Sequence, residues 1–517
     1  MAKHVVIAGG GTAGWMTAAY LRASFGDQVE ITVVESGAIS SIGVGEATFS
    51  TIRHFFSYIG LEERDWMPAC NATYKLGIRF ENWRHPGHDF YHPFERFTSV
   101  EGYPLPEWWL RSGRSDRFDR DCFIIANLCD ELRSPHTLDG RLFGERDESL
   151  AAGTRTTLAD QDAQYPYAYH FDASLLADYL MKMVTARGVR RVVDSIVDCK
   201  RDERGIAGLV TQEHGTIEGD LYVDCTGFRG LLLNQALEEP FISFKEYLPN
   251  DRAVALRVPA DIERDGIRPY TTATAMDAGW MWTIPLFGRN GMGYVYSSEY
   301  SGPEEAEKAL RQAAGPAAAD LEANHIRMRI GRSRNSWVGN CVAIGLASGF
   351  VEPLESTGIF FIQHGIEQLV KHFPGERPDP TLVEHYNQMV GRCIDGIAEF
   401  LAFHYYAAAR TDNAYWKATK ERPLPGELAE RVKLWEHKLP DAQSIYPHYH
   451  GFESYSYASM LLGLGGIPVR QRPVIDLLDN RAAEQEFERL AVKTRRMQTE
   501  LPSQYEYFAH MRRPVEV

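Results

Sequence analysis

His4-Val-Val-Ile-Ala8 runs directly into Gly9-Gly-Gly-Thr-Ala-Gly14, and this junction decides the fold. The first five residues are apolar and β-rich, so they read as a short buried strand. Trp15 to Phe25 then reads as a helix, with Met16, Ala19 and Tyr20 spaced for one face. Val29-Glu-Ile-Thr-Val-Val34 supplies a second strand, and Glu35 follows it 21 residues beyond Gly14. This is Gly-x-Gly-x-x-Gly in the setting that gives it meaning: strand, tight turn, helix, strand, acid. Gly9 permits the turn, Gly11 lets the backbone approach a pyrophosphate, and Gly14 lets helix and strand pack closely. The helix N-terminus attracts the phosphate charge, and Glu35 accepts from ribose hydroxyls.

Working outward, Leu221-Tyr-Val-Asp-Cys-Thr-Gly-Phe-Arg-Gly230 is a strand ending in Thr-Gly, an element that recurs in FAD enzymes of the glutathione-reductase type. Asn340-Cys-Val-Ala-Ile-Gly345 is another buried strand reaching a glycine. No second Gly-x-Gly-x-x-Gly stands between a strand and a helix. One nucleotide site, with strands spread over residues 1–350, favours a tightly held flavin and leaves no home for NAD(P)H.

The fold class expected is therefore α/β, a Rossmann-like FAD-binding body of the glutathione-reductase type carrying a mainly helical second unit. Residues 1–82 and 165–357 would form the discontinuous flavin body. Residues 83–164, aromatic and loop-rich, and 358–517, with a helical pattern, would form the substrate-binding unit. In the latter, Ile362, Ile366, Leu369, Val370 and Phe373 share a helical face, closed by Lys371-His372 and Pro374-Gly375.

The composition sets limits around this. At roughly 150 residues per domain, 517 residues suggest about three units, a prior that overcounts one large α/β body with insertions. Hydrophobic residues at 44% and charged residues at 24% exclude a disordered chain. With 55 Lys+Arg against 70 Asp+Glu, the net charge of −15 repels phosphate backbones and argues against nucleic acid. Seven scattered cysteines without a Cys-x-x-Cys pair read as reduced thiols rather than disulfides or a metal site. Neither a signal peptide nor an apolar run long enough for a bilayer is visible, so a cytoplasmic protein is expected.

Three further segments could carry chemistry. In Tyr74-Lys-Leu-Gly-Ile-Arg-Phe80 the alternation is strict, which by pattern alone sends Lys75 to solvent. Val351-Glu-Pro-Leu-Glu-Ser-Thr-Gly358 stands just before the helix above, with Ser356 or Thr357 suited to an N-cap. The amides around Thr357-Gly358 would point at the helix mouth, where the dipole can hold an anion without a lysine. Glu355 beside them reads either as a carboxylate favoured by that dipole or as a buried catalytic group. Gly279-Trp-Met-Trp-Thr-Ile-Pro285 places Trp280 and Trp282 on one face of a strand, as core or as one wall of a flavin site.

Together these segments resemble the flavin-dependent tryptophan halogenases, along nearly the whole chain from His4 to about Phe508. Gly-Trp-x-Trp-x-Ile-Pro is specific to flavin-dependent halogenases, and Pro353-Leu-Glu-Ser-Thr-Gly358 with Lys75 points to the branch acting on free tryptophan. Gly45-Glu-Ala-Thr-Phe-Ser50 and Tyr91-His-Pro-Phe-Glu95 are most similar to enzymes acting on C6 or C5 of the indole, with C6 favoured. One departure from flavin hydroxylases fits: where many have Gly-Asp near the flavin, this chain has Gly345-Leu346.

The resemblance implies that reduced FAD arrives from a separate NAD(P)H-dependent flavin reductase and reacts with oxygen. Chloride, or bromide, held at Thr357 and Gly358 is then converted to hypohalous acid. Trp280 and Trp282 keep L-tryptophan away from the flavin, and Lys75 meets the oxidant beside the substrate, by hydrogen bond or as a chloramine. Glu355 polarises the halogen donor or accepts the ring proton. Flavin contacts would come from Gly9, Gly11, Thr12, Ala13, Gly14, Glu35, Ile42, Gly43, Ala47, Val197, Leu346 and Ile359. Substrate contacts would come from Phe49, His92, Phe94, Glu355, Tyr449, Phe452, Glu453 and Tyr455. A homodimer is the family-style expectation. The competing readings are a tryptophan 5-halogenase, a flavin monooxygenase hydroxylating an aromatic substrate, and a flavin-fold protein without catalysis.

Overall fold

The apolar runs at His4–Ala8, Glu30–Glu35 and Leu221–Asp224 pair in register as parallel strands, as continuous hydrophobic strands buried on both faces should. A computed structural model describes residues 3–37, 45–140 and 166–513. In it the sheet runs Arg190–Val193, Glu30–Glu35, His4–Ala8, Leu221–Asp224, Cys341–Ala343, Trp337–Val338, parallel except for the last pair. The helix Thr12–Phe25 crosses between the first two strands of the motif. The expected α/β body is present, and its switch from strand to helix lies at the glycine loop.

A second sheet of seven strands runs Asn324–Arg327, Arg252–Pro259, Arg289–Tyr296, Gly279–Leu286, Tyr270–Met276, Gly77–Glu81, Asp89–Pro93. Its last two strands form an antiparallel pair with Ile78 opposite His92, so the division at residues 82 and 83 cuts a hairpin. The aromatic run Asp89–Pro93 reads as loop in sequence, yet Phe90 stacks on Phe80 at 5.1 Å and the strand is almost wholly buried. A small sheet of Glu46–Ala47, Ala168–Phe171 and Thr73–Lys75 stands beside it.

The helix Gly358–Lys371 forms as its spacing predicts and packs against the first helix, with Phe25 and Phe373 rings 4.3 Å apart. The 28-residue helix Pro380–Ala407 and the helix Ser454–Leu464 complete the roof. One hydrophobic core runs from Val5 to Phe508, so flavin body and helical unit share an interior. The C-terminal helix Gln504–Met511 reaches back into it: the buried Gln504 amide oxygen accepts from the Tyr74 backbone N–H at 2.7 Å.

Candidate active site

At the glycine loop, a Cβ on Gly9 would sit 2.4 Å from the Cys225 carbonyl oxygen, and one on Gly14 would sit 1.9 Å from the Gly9 carbonyl oxygen. Both positions are closed to any side chain. Gly11, by contrast, faces open space, and no side chain caps the helix that begins at Thr12. Free first-turn N–H groups beside open space are what a pyrophosphate needs. Glu35 accepts from Trp15 Nε1 at 3.2 Å and pairs with Arg191, at the far end of the same strand pair. Val197 is 59% exposed, two residues past Ser195, whose hydroxyl lies 3.2 Å from that of Ser36. Gly345 packs on Ala13 and Ile362, which brings Leu346 to the start of the first helix. Ala47 and Ile359 are buried. Ile42 and Gly43 lie outside the described residues.

Lys75 overturns the pattern reading. The strand Thr73–Lys75 ends there, Leu76 bonds instead to the Pro269 carbonyl, and Gly77–Glu81 joins the other sheet. The alternation therefore spans two sheets, and the side that should face water is covered: Lys75 has 0% exposure. Its Nζ donates to the Thr48 carbonyl at 3.1 Å and lies 5.2 Å from the centre of the Phe94 ring. Burial lowers its pKa from 10.5 to about 7, with the charge of Glu355 acting in the opposite direction.

Glu355 is also buried, at 3% exposure, on a backbone held in the left-handed region with φ of 66°. Ser356 follows with φ of 63°. Two consecutive non-glycine residues in that region cost free energy, which the surrounding structure must offset. The carboxylate accepts from His92 Nδ1 at 2.9 and 3.0 Å and from His404 Nε2 at 3.0 Å. Burial alone would raise its pKa, but the charge of His92 and the hydrogen bonds of both histidines outweigh burial and hold it down at about 2.

Thr357 takes the N-cap position, but its side chain does not cap. Its Oγ1 is buried with no partner among the described residues, and Gly358 faces open space. An orphaned hydroxyl at an uncapped helix start is a fitting place for a small anion. Trp280 and Trp282 lie side by side with ring centres 6.2 Å apart. Trp280 Nε1 donates to Glu352 at 3.1 Å, and the Trp282 ring lies flat across Gly293, where a Cβ would come within 2.1 Å of it.

One cavity of about 590 Å³ gathers Phe49, His92, Phe94, Glu355, Tyr449, Phe452, Glu453 and Tyr455. All eight expected substrate positions line it. Phe452 meets Phe49 edge-on at 5.0 Å, and Ile78 adds an aliphatic wall opposite His92. Tyr449 is 55% exposed at the rim, where Arg96 grips Glu453 through two hydrogen bonds.

Comparison with known proteins decides the family: a model described as tryptophan halogenase matches residues 4–480. The chain belongs to that family. This halogenase is 59% identical to tryptophan 6-halogenase SttH of Streptomyces toxytricini, over 98% of each chain. It is 59% identical to 7-chloro-L-tryptophan 6-halogenase KtzR of a Kutzneria species, over 98% of this chain and 99% of that one. The solved structure of Tar14, a tryptophan C-6 flavin-dependent halogenase from taromycin biosynthesis, superposes with a TM-score of 0.94 at 60% identity, covering 99% and 100% of the two chains.

Four residues of the halogenase site escape sequence reasoning. Thr48 contributes only a carbonyl, which carries no side-chain signal. Ile78 reads as core. Arg96 stands directly after the aromatic stretch Tyr91–Glu95, and a cation beside that run is the one available hint. His404 sits inside a long helix among Phe400, Phe403 and Tyr405, where a histidine reads as interior packing. Among the described residues there is no cluster that could hold a metal and no helix long and apolar enough to cross a membrane.

Proposed function

We propose that this protein halogenates free L-tryptophan at C6 of the indole, using reduced FAD, oxygen and chloride or bromide. The observation that carries this reading is two buried groups joined to one aromatic cavity: Glu355 lines it beside His92, and Lys75 stands behind it, with Nζ 5.2 Å from the centre of the cavity-lining Phe94 ring. The C6 assignment is supported by the 6-halogenases SttH, KtzR and Tar14, at 59–60% identity.

The glycine loop holds the flavin pyrophosphate, and the bound flavin supplies, with oxygen, the oxidation of halide to hypohalous acid. Thr357 Oγ1 and the first amides of the helix at Gly358 hold the halide. Trp280 and Trp282 wall the flavin side from the substrate side, so the oxidant reaches the indole only by way of Lys75. A lysine whose pKa is about 7 is partly neutral at physiological pH. It can meet the hypohalous acid through a hydrogen bond or as a nitrogen nucleophile. A ring π pair bonds the halogen as the halogen–oxygen bond of the hypohalous acid breaks, its electron pair leaving on oxygen as water with a proton from the Lys75 ammonium. From a Lys75 haloamine, the pair of the halogen–nitrogen bond stays on nitrogen, which takes up a proton. The C–H bond then breaks, its electron pair returns to the ring and its proton passes to Glu355. An ionised carboxylate fixed before the reaction costs no reorganisation at that moment.

C2 and C3 of indole are intrinsically more reactive than the benzo carbons, so the selectivity is positional. Phe49, His92, Phe94 and Phe452 clamp the ring, while Tyr449, Tyr455, Arg96 and Glu453 meet the ammonium and carboxylate groups. A separate NAD(P)H-dependent flavin reductase regenerates the reduced flavin, in the cytoplasm. The deciding experiment supplies reductase, FAD, NADH, oxygen, chloride and either L-tryptophan or 7-chloro-L-tryptophan, with NMR of the product. We expect 6-chlorotryptophan from the first; a 5-chloro or hydroxylated product overturns the reading.

A further inference from the structure

The His404–Glu355 contact fixes a proton count. His404 Nδ1 lies 2.7 Å from the carbonyl oxygen of Phe400. A carbonyl only accepts, so Nδ1 carries a proton in every state of the ring. Its Nε2 lies 3.0 Å from Glu355 Oε1. Without a proton between them, two lone pairs would face each other in a buried site, so one proton must lie on that contact.

The oxygens of Glu355 are unequal. Oε1 accepts from both His92 Nδ1 and His404 Nε2, whereas Oε2 accepts from His92 alone. The groups that face the carboxylate are Lys75, His92, His404 and Tyr455. His404 itself has 0% exposure, with the Phe80 ring at 5.6 Å and the Phe400 ring edge-on at 4.6 Å, so its charged partner is Glu355.

We infer that a resident proton stays on His404 Nε2 through the reaction, blocking Oε1, and that Glu355 Oε2 is therefore the oxygen that takes the proton from the halogenated ring carbon. This rests on the reading of Glu355 as the base. His404 touches no reacting atom; it is a positioning residue that keeps Glu355 ionised and presents one oxygen to the cavity. The strained left-handed backbone at Glu355 is what brings its carboxylate between the two histidines.

The test combines a spectrum and a pH profile. Protein labelled with ¹⁵N-histidine and free of flavin and tryptophan is examined at pH 7.5, with the His404 resonances assigned by their loss in His404→Gln. Both ring nitrogens of His404 should be protonated in the native protein, and only Nδ1 in Glu355→Gln. A single protonated nitrogen in the native protein, or an unchanged doubly protonated ring in Glu355→Gln, overturns the proposal. If His404→Gln does not fold, the resonance that converts in Glu355→Gln serves as the assignment. These spectra report on the proton whether or not the protein halogenates tryptophan, so the two readings fail separately. In turnover, His404→Gln keeps an amide donor but removes the charge. Without that charge the Glu355 carboxyl is less strongly held in its ionised form, so kcat relative to the native protein should fall by about tenfold at the lowest pH the protein tolerates, below the limb that Lys75 sets, and by less near neutrality, with KM for tryptophan within about twofold. An equal loss of kcat at every pH would mark a structural role and overturn the proposal.

Discussion

Lys75 Nζ donates to the Thr48 carbonyl at 3.1 Å from a position with no solvent exposure, so the strand that carries the lysine and the segment before Phe49 are tied at the reactive nitrogen. Lys75→Ala is expected to abolish chlorotryptophan formation while flavin binding, followed by absorbance and fluorescence, stays as it was. Chlorinated product from that variant would remove Lys75 from the mechanism.

The same burial has a stability signature. A fall in pKa from 10.5 to about 7 corresponds to a penalty on the order of 5 kcal/mol for the charged form at neutral pH. Between those values the unfolded chain binds the proton and the folded one does not, so native stability rises with pH across that window. Lys75→Met should therefore be more stable than the native protein at pH 7, and its advantage should shrink by pH 9.5. Denaturant midpoints at the two pH values give the comparison.

Glu355→Gln removes a base but keeps the volume. Turnover should fall by about 10²–10⁴-fold, the range typical of a lost general base. Tryptophan affinity, measured by calorimetry on the resting enzyme, should change much less. Near-normal turnover would leave Glu355 as a structural carboxylate at a helix start.

Thr357 Oγ1 is buried without a partner among the described residues, which makes Thr357→Val a clean test of the proposed halide position. A charge-assisted hydrogen bond is worth about 1.5–3 kcal/mol, so the apparent KM for chloride should rise by about tenfold or more. The KM for tryptophan and the melting temperature should hold, because the hydroxyl makes no bond that valine would break.

Gly293→Ala would drive a methyl group into the Trp282 ring, where a Cβ comes within 2.1 Å. Overpacking of this kind costs about 1–3 kcal/mol, and the indole must shift to relieve it. The expected outcome is a lower melting temperature together with uncoupling. Less product should form per reduced flavin, and more free oxidant should be caught by a soluble chlorine acceptor.

Arg96 and Glu453 are about half exposed, and such ion pairs contribute about 0–1 kcal/mol to stability. Arg96→Ala should leave the melting temperature nearly unchanged and raise the KM for tryptophan. Indole, which has neither charged group, should react equally well with both proteins.

The nucleotide-binding half was legible because its signal is local: strand, glycines, helix and acid all fall within His4–Glu35. The helix start proposed to hold the halide was legible for the same reason, since Thr357 and Gly358 begin that helix. The burial of Lys75 was not, because the apparent single strand Tyr74–Phe80 divides at Leu76 between two sheets. The resemblance to halogenases, rather than the alternation, singled out that lysine. His404 was invisible because its partner lies 49 residues away, on the turn that carries Glu355. The boundary at residues 82 and 83 fell inside a hairpin because aromatic residues at Asp89–Pro93 mask a strand that is buried on both faces.

Gln504 holds the backbone of Tyr74, next to Lys75, and Phe452 closes on Phe49. Ribosomal synthesis proceeds from the other end, so the lysine and its aromatic clamp assemble only after residue 504 has emerged and docked. A chain that stops short of Gln504 lacks the side chain that holds the Tyr74 backbone beside Lys75, and with it part of the interior that the glycine-loop strand shares. The lysine and its aromatic surroundings are thus completed by residues from the far end of the chain.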